Sequence, residues 1–305
     1  MQHSPSSIRA VYLCGSRNLE YTVQTPTPVP HPLAGADAGA SFIKLAVETP
    51  QGGVDLQRLD GDAYARAATQ LKTPEGTSTL RAVLTGCGAG ALAQALGGPL
   101  LEVDEFQAWG LGARQLLSDA GQPLDRFLLV SVGTGTSALL VEPGGTRRVG
   151  GSALGGGTLL GLANPLLGSR DFAEIVKLAE QGDRGCVDLL VEDLYPQGAP
   201  GLPGGLNAAS FGKLARGSTS RPADRAHALM GLLGENIGML CVALAAQHEV
   251  SHVVFGGGTL RDNTRLCDLL RAMCMVGGHQ PLLLPDGEFV GAVGALVHAR
   301  ESAES

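Results

Sequence analysis

Regular alternation of apolar and polar positions starts at Gly35. From there "GADAGASFIKLAVETPQGGVDLQRLDG" predicts a turn of small residues, a strand over 41–47, a turn at Gln51-Gly52-Gly53 and a further strand. "TSTLRAVLTGCGAG" reads as a short apolar strand ending in glycines, and residues 103–118 carry an apolar stripe at helical spacing. At Phe127 the order restarts: "FLLVSVGTGTSALLVEPGGTRRVGG" is strand, Gly/Thr turn, strand, Gly-Gly turn, strand. Helical patterns follow over 159–167, 171–181, 186–195, 208–215 and 223–247. "VSHVVFGGGTLRDN" predicts a buried strand, a glycine turn and a helix from Asn263, and "GEFVGAVGALVHAR" spaces Gly287, Gly291 and Gly294 for close helix packing.

Set side by side, "DAGASFIKLAV" and "SVGTGTSALLV" are one unit used twice, about 95 residues apart. Gly-rich hairpins are common, so the pair alone balances duplication against chance. Four small-residue turns stand out, over 37–41, 133–136, 150–158 and 256–259, each beside a strand or helix end. Together they point to a cleft lined with backbone N–H groups, a setting for a polyphosphate.

Composition narrows the classes. A chain of 305 residues that is 44% hydrophobic can bury a sizeable core, as one large domain or two ordinary ones. A net charge of −7 without a basic stripe argues against nucleic acid as a partner. The six cysteines are scattered with no CxxC, which fits a reduced, cytoplasmic protein without a cysteine zinc site. "HEVSH" matches the H-E-x-x-H zinc pattern, but His252 runs straight into "VVFGGG", so the pair is expected to straddle a helix end and a strand start. No basic region leads into an apolar run and no membrane-length apolar stretch appears, so a soluble protein is expected. Residues 1–34 differ: Pro26, Pro28, Pro30 and Pro32 are too dense for helix or central strand, and the segment reads as a disordered arm or as sequence upstream of the true start.

Transfer of a phosphoryl group needs donors around the phosphates, a carboxylate near the metal, a base for the attacking hydroxyl and a cation for transition-state charge. Asp37 opens "DAGASFIK", where small residues let the backbone approach phosphate, and Lys44 lies down the next strand. In "GGSALGGGTLLGL" three glycines run into Thr158 and an apolar helix, baring N–H groups toward an anion. No Lys follows them, so this is not the usual P-loop; the nearest cations are Arg147 and Arg148. "LEVDEFQAWGLG" offers Glu102, Asp104 and Glu105 as bases, and spacing does not choose among them.

The ordered series "DAGASFIK", "LTGCGAG", "DEFQA", "VSVGTGTS", "RRVGGSALGGGTLLGL", "GDRGCVDLLV", "ASFG", "FGGGTLRDN" and "GEFVGAVGAL" resembles the type II pantothenate kinases, of the acetate kinase, sugar kinase, Hsp70 and actin superfamily. The resemblance runs from Gly35 to the C-terminus. It implies an α/β fold of two RNase H-like (actin-like ATPase) domains facing a nucleotide cleft, over 35–126 and 127–305, the second with extra helices for a homodimer. The implied activity is transfer of the ATP γ-phosphoryl to pantothenate, with Mg²⁺ held by Asp37 directly or through water. A related kinase acting on pantetheine or another hydroxylated metabolite, or a weakly active nucleotide- or coenzyme A-binding regulator, stands behind it.

By the same resemblance Glu105 is the base and Arg148 balances charge. The nucleotide positions are Asp37, Ala38, Gly39, Ala40, Ser41, Phe42, Ile43 and Lys44, then Thr134, then Gly156, Gly157, Thr158, Leu159 and Leu160, with Phe172 and Gly258. Ser137 and Arg148 match positions on the pantothenate or acyl-coenzyme A side. Ala40 and Ser41 depart from the usual Gly-Thr; the Ser keeps a hydroxyl, and Ala40 adds a methyl where backbone meets phosphate.

Overall fold

The apolar runs of the two halves each build a five-stranded sheet. The structure, a computed structural model, describes residues 8–14, 17–23, 32–49, 51–72, 80–98, 100–200, 204–217 and 219–304. Contacts divide the chain into two compact units: Met1–Arg126 with Val141–Arg148 and Leu284–Ser305, and Phe127–Leu140 with Val149–Leu283.

Strands β1 (Ile8–Cys14) and β2 (Arg17–Val23) pair as an antiparallel hairpin inside the segment that sequence alone reads as a disordered arm or as sequence upstream of the true start. Pro26, Pro28 and Pro30 lie outside the described residues. The first sheet is built from β3 (Leu33–Ala38), β4 (Phe42–Glu48), β5 (Val54–Asp60), β6 (Arg81–Thr85) and β7 (Leu101–Glu102), in the order β5-β4-β3-β6-β7. Neighbours β3, β4 and β5 run antiparallel, whereas β6 is parallel to β3 and to β7. Helices α1 (Tyr64–Gln70) and α2 (Ala89–Leu96) pack on one face, through Ala67, Leu71, Leu92 and Ala93. Helix α3 (Glu105–Asp119) follows.

The second sheet repeats that plan. Its strands β8 (Phe127–Val132), β9 (Thr136–Glu142) and β10 (Gly145–Ser152) are followed by α4 (Gly156–Leu167) and α5 (Phe172–Glu180). After the small elements β11 (Leu189–Leu190), α6 (Val191–Leu194) and β12 (Asn207–Ala209) come α7 (Pro222–Gln247), β13 (His252–Gly256), α8 (Thr264–Val276) and β14 (Gln280–Leu283). The order β10-β9-β8-β13-β14 matches the first sheet strand for strand, with β13 parallel to β8 and β14. By length and composition α7 is the one helix among the described residues that could cross a membrane. Here it is a core helix: Ala226, Leu229, Met230, Leu233, Ile237 and Cys241 are fully buried, and α4, α5 and α8 pack around it. Each large apolar side chain so buried contributes about 1.5–3 kcal/mol.

Two helical expectations fail in this unit. Over 186–195 the chain forms a 3-10 turn (Arg184–Cys186), β11 and the single-turn α6; over 208–215 it forms β12 and a 3-10 turn (Leu214–Arg216). Asp188 is the reason. Fully buried, it accepts the Phe211 N–H at 2.9 Å and faces Arg184 Nε at 3.3 Å, so the two segments pair with each other instead of coiling.

The last helix, α9 (Val290–Glu304), returns to the first unit. Sequence alone keeps 127–305 together; the contacts place Leu284–Ser305 elsewhere because glycines let α9 approach backbone to backbone. A Cβ on Gly35 would fall 2.1 Å from Ala292 O, one on Gly112 1.9 Å from Val290 O, and one on Gly294 1.6 Å from Ala108 O. This is why "LAGADA", poor in β-formers, is nevertheless a buried central strand: its neighbours leave no room for larger side chains.

Candidate active site

Strand periodicity places Asp37. On β3 the buried Ala34, Ala36 and Ala38 face α1 and α2, so Gly35 and Asp37 face α9. Asp37 is 3% exposed, and its Oδ2 accepts from Lys44 Nζ at 3.4 Å. Lys44 is its cross-strand partner on β4, so register fixes the pair. Burial pushes the Asp37 carboxyl above its ordinary range, with the Lys44 charge and hydrogen bond pulling the other way.

Neighbours separate the three acids before α3. Asp104 is the N-cap, accepting from the Phe106 and Gln107 N–H groups, both at 3.0 Å. Glu102 is exposed on β7. Glu105 opens α3 half-buried, and its carboxyl is pushed up, first by burial and then by the Asp37 charge; Lys44 opposes the rise and Asp104 adds to it. A carboxylate raised in this way is suited to general-base work nearer neutral pH.

Four residues around Asp37 escape sequence reasoning. Thr85, its register partner on β6, is 1% exposed, and its Oγ1 has no hydrogen-bond partner among the described residues. The buried Nε1 of Trp109 is in the same condition. Gly86, at φ +89°, and Gly291 border the carboxylate: a Cβ would come 2.7 Å from Oδ1 on the former and 2.6 Å from Oδ2 on the latter. The signals were weak but present, namely the glycines of "TGCGAG" and a lone tryptophan one helical turn after Glu105.

In the second unit, the three remaining glycine turns meet. Gly156 N–H donates to Gly133 O at 2.8 Å, Gly157 N–H to Thr134 O at 2.9 Å, and Thr259 Oγ1 to Gly133 O at 2.8 Å. A Cβ on Gly155 would fall 2.6 Å from Thr134 O, one on Gly156 2.5 Å from Thr259 Oγ1, and one on Gly257 2.4 Å from Val132 O. The expectation that the amides of Gly156, Gly157 and Thr158 all point to an anion is therefore corrected. Two of them bond the 133–135 turn, and only Thr158 N–H lacks an acceptor among the described residues. The glycines serve first to bring three turns together, which brings the α4 N-terminus with them.

The other sequence-derived positions divide by environment. Ala38, Ile43 and Leu159 are fully buried in the cores and Leu160 packs against one, so only their backbones could meet a ligand. Gly39 N–H closes the first turn on Phe42 O at 3.0 Å, while Ala40 and Ser41 are exposed at its tip. Phe42 lies under the Arg58 guanidinium, 4.7 Å from ring centre. Phe172 lines a pocket of about 230 Å³ with Val176, Lys177, Glu180 and Arg261, and Gly258 opens the 3-10 turn Gly258–Leu260. Thr134 is exposed, Ser137 is half-buried on β9, and Arg148 is exposed on β10 with no acidic partner among the described residues. His248 caps α7 and His252 opens β13, so "HEVSH" is not one helix face. No cluster of three or more His, Cys, Asp or Glu side chains stands ready for a metal among the described residues. Mg²⁺ needs only one or two carboxylates beside phosphate oxygens and water, a need that the buried carboxylate of Asp37 fits.

Comparison with known proteins adds a family. A model described as Fumble matches residues 106–298. The type II pantothenate kinase of Staphylococcus haemolyticus (strain JCSC1435) is 31% identical over 265 residues, spanning 86% of this chain and 98% of that relative. That of Staphylococcus aureus (strain USA300) is 30% identical over 265 residues, spanning 86% and 97%. Among solved structures, the activator of the 2-hydroxyisocaproyl-CoA dehydratase from Clostridium difficile, with bound ADPNP, aligns at TM-score 0.59 and 13% identity over 90% of this chain and 97% of that one. A ROK family glucokinase from Streptomyces griseus, in complex with glucose and AMPPNP, aligns at 0.57 and 16% identity over 88% and 99%. At such identities the structural likeness carries the fold alone: the α/β, actin-like ATPase architecture with its doubled sheet.

Proposed function

The chain belongs to the Fumble family of type II pantothenate kinases, and from that premise we propose that it transfers the ATP γ-phosphoryl to the primary hydroxyl of pantothenate, giving 4′-phosphopantothenate. The observation that carries the reading is the buried Asp37–Lys44 pair with Glu105 coupled to it. Glu105 takes the proton of the attacking hydroxyl, and its raised carboxyl makes it a stronger base than a solvated glutamate. Arg148, with no acidic partner among the described residues, offsets the charge that develops on the transferring group, and Ser137 supports the acceptor. Thr134, Thr158 N–H and the Gly258 turn take the phosphates, and the Phe172 pocket takes the rest of the nucleotide. Held by Asp37, Mg²⁺ would supply charge neutralisation at the phosphate oxygens. Ala40 is exposed at the tip of the first turn, where its methyl would meet a bound phosphate.

The reading extends to a homodimer through the helices of 127–305, to coenzyme A or its thioesters on the acceptor side, and to the cytoplasm. Among the described residues the thiols of Cys87, Cys241, Cys267 and Cys274 stand in no disulfide, in keeping with a reducing compartment. The test is ADP release from Mg·ATP with pantothenate, pantetheine or N-acetyl sugars as acceptor. Pantothenate is expected to be preferred. Preference for another acceptor would reassign the substrate, and nucleotide binding without ADP release would make the protein a regulator.

A further inference from the structure

We propose that Trp109 is a positioning residue for the transfer, its indole N–H holding the Oδ2 of Asp37 across a gap kept open by Gly291. The proposal rests on the kinase reading above and adds a residue to it. Trp109 follows Glu105 by one helical turn, so α3 presents both on one face. A Cβ on Gly291 would sit 2.8 Å from Trp109 Nε1 and 2.6 Å from Asp37 Oδ2. The indole nitrogen and the carboxylate oxygen therefore flank the same α-carbon of α9, and any side chain there would come between them.

Both atoms are also under-served. Trp109 Nε1 is buried without an acceptor among the described residues, although a buried indole N–H ordinarily finds one. Asp37 Oδ2 has its contact with Lys44 at 3.4 Å, long for a charge-assisted bond. A rotation of the indole or the carboxylate into the space that Gly291 leaves would join the two. The other groups facing this carboxylate are Glu105, which repels it, and the Thr85 hydroxyl on the neighbouring strand. With Oδ2 tied to α3 and β4, Asp37 would be held in one rotamer, leaving Oδ1, beside Gly86, as the oxygen that would hold a metal ion.

Trp109 is the only tryptophan in the chain, so its emission reports this spot alone. Excitation moves indole electron density from the pyrrole to the benzene end, and a carboxylate at Nε1 therefore shifts emission to longer wavelength. Asp37→Asn in the otherwise unchanged protein is expected to move Trp109 emission to shorter wavelength. Trp109→Phe, which keeps an aromatic ring and removes the N–H, is expected to lower kcat about 10- to 100-fold and raise the half-saturating Mg²⁺ concentration, with the pantothenate KM within about twofold. Emission unmoved by Asp37→Asn, or a folded Trp109→Phe variant with wild-type kcat and Mg²⁺ requirement, overturns the proposal. If Trp109→Phe does not fold, the emission shift decides. If the wild type phosphorylates no acceptor, the kinase reading falls, and the emission shift still decides whether Trp109 meets Asp37.

Discussion

Glu102, Asp104 and Glu105 lie within four residues of one another, and their neighbours alone decide what each does. Asp104 caps α3 and also raises the Glu105 carboxyl through its charge. Asp104→Asn keeps a capping oxygen and removes the charge. As the proposed base Glu105 works only when ionised, so activity should be lost as pH falls through its pKa. Lowering that pKa moves the acid limb of kcat to lower pH, which a pH–rate profile checks. Asp104→Ala is expected to show the same displacement and to lose about 1 kcal/mol of stability with the cap. Sequence could name all three acids but not choose, because what separates them is Asp37, far away along the chain and brought near by β3. Thr85 and Trp109 were illegible for the same reason, and so was the place of Gly291 beside the Asp37 carboxylate: no local spacing encodes nearness to Asp37.

Elements tell a similar story through their glycines. On α9 the spacing of Gly291 and Gly294 was legible as close packing, and the partners are α3 and β3. Gly294→Ala drives a methyl to 1.6 Å from Ala108 O. It should destabilise by about 3 kcal/mol, read as a lower denaturant midpoint. Gly90, inside α2 with none of the described residues near its would-be Cβ, is the contrast: Gly90→Ala should stabilise by about 0.5–1 kcal/mol. At the start of α4 the glycine cluster hid a second role. Gly156 and Gly157 bond the 133–135 turn, so Gly156→Val should displace that turn and Thr259 together and raise the KM for ATP far more than that for pantothenate. Long, strongly periodic stretches such as α7 and β8 were legible from their pattern. The segments over 186–195 and 208–215 were not, because the buried carboxylate of Asp188 overrides helical propensity.

At the scale of the whole molecule, the repeated strand–turn–strand grammar was the most informative feature of the chain. Each copy grew into a sheet of the same strand order, so the structure decides for duplication where the two hairpins alone left it balanced against chance. The return of α9 to the first unit was not, since nothing local in a C-terminal helix says which sheet it covers. The chemistry assigned to this architecture asks one residue to move a proton. Single-turnover transfer from Mg·ATP to pantothenate, measured for the wild type and for Glu105→Gln with matching thermal melts, tests that assignment most directly. The wild type should form 4′-phosphopantothenate and the variant should form it about 10²- to 10⁴-fold more slowly. A folded variant with near-normal transfer would contradict the account.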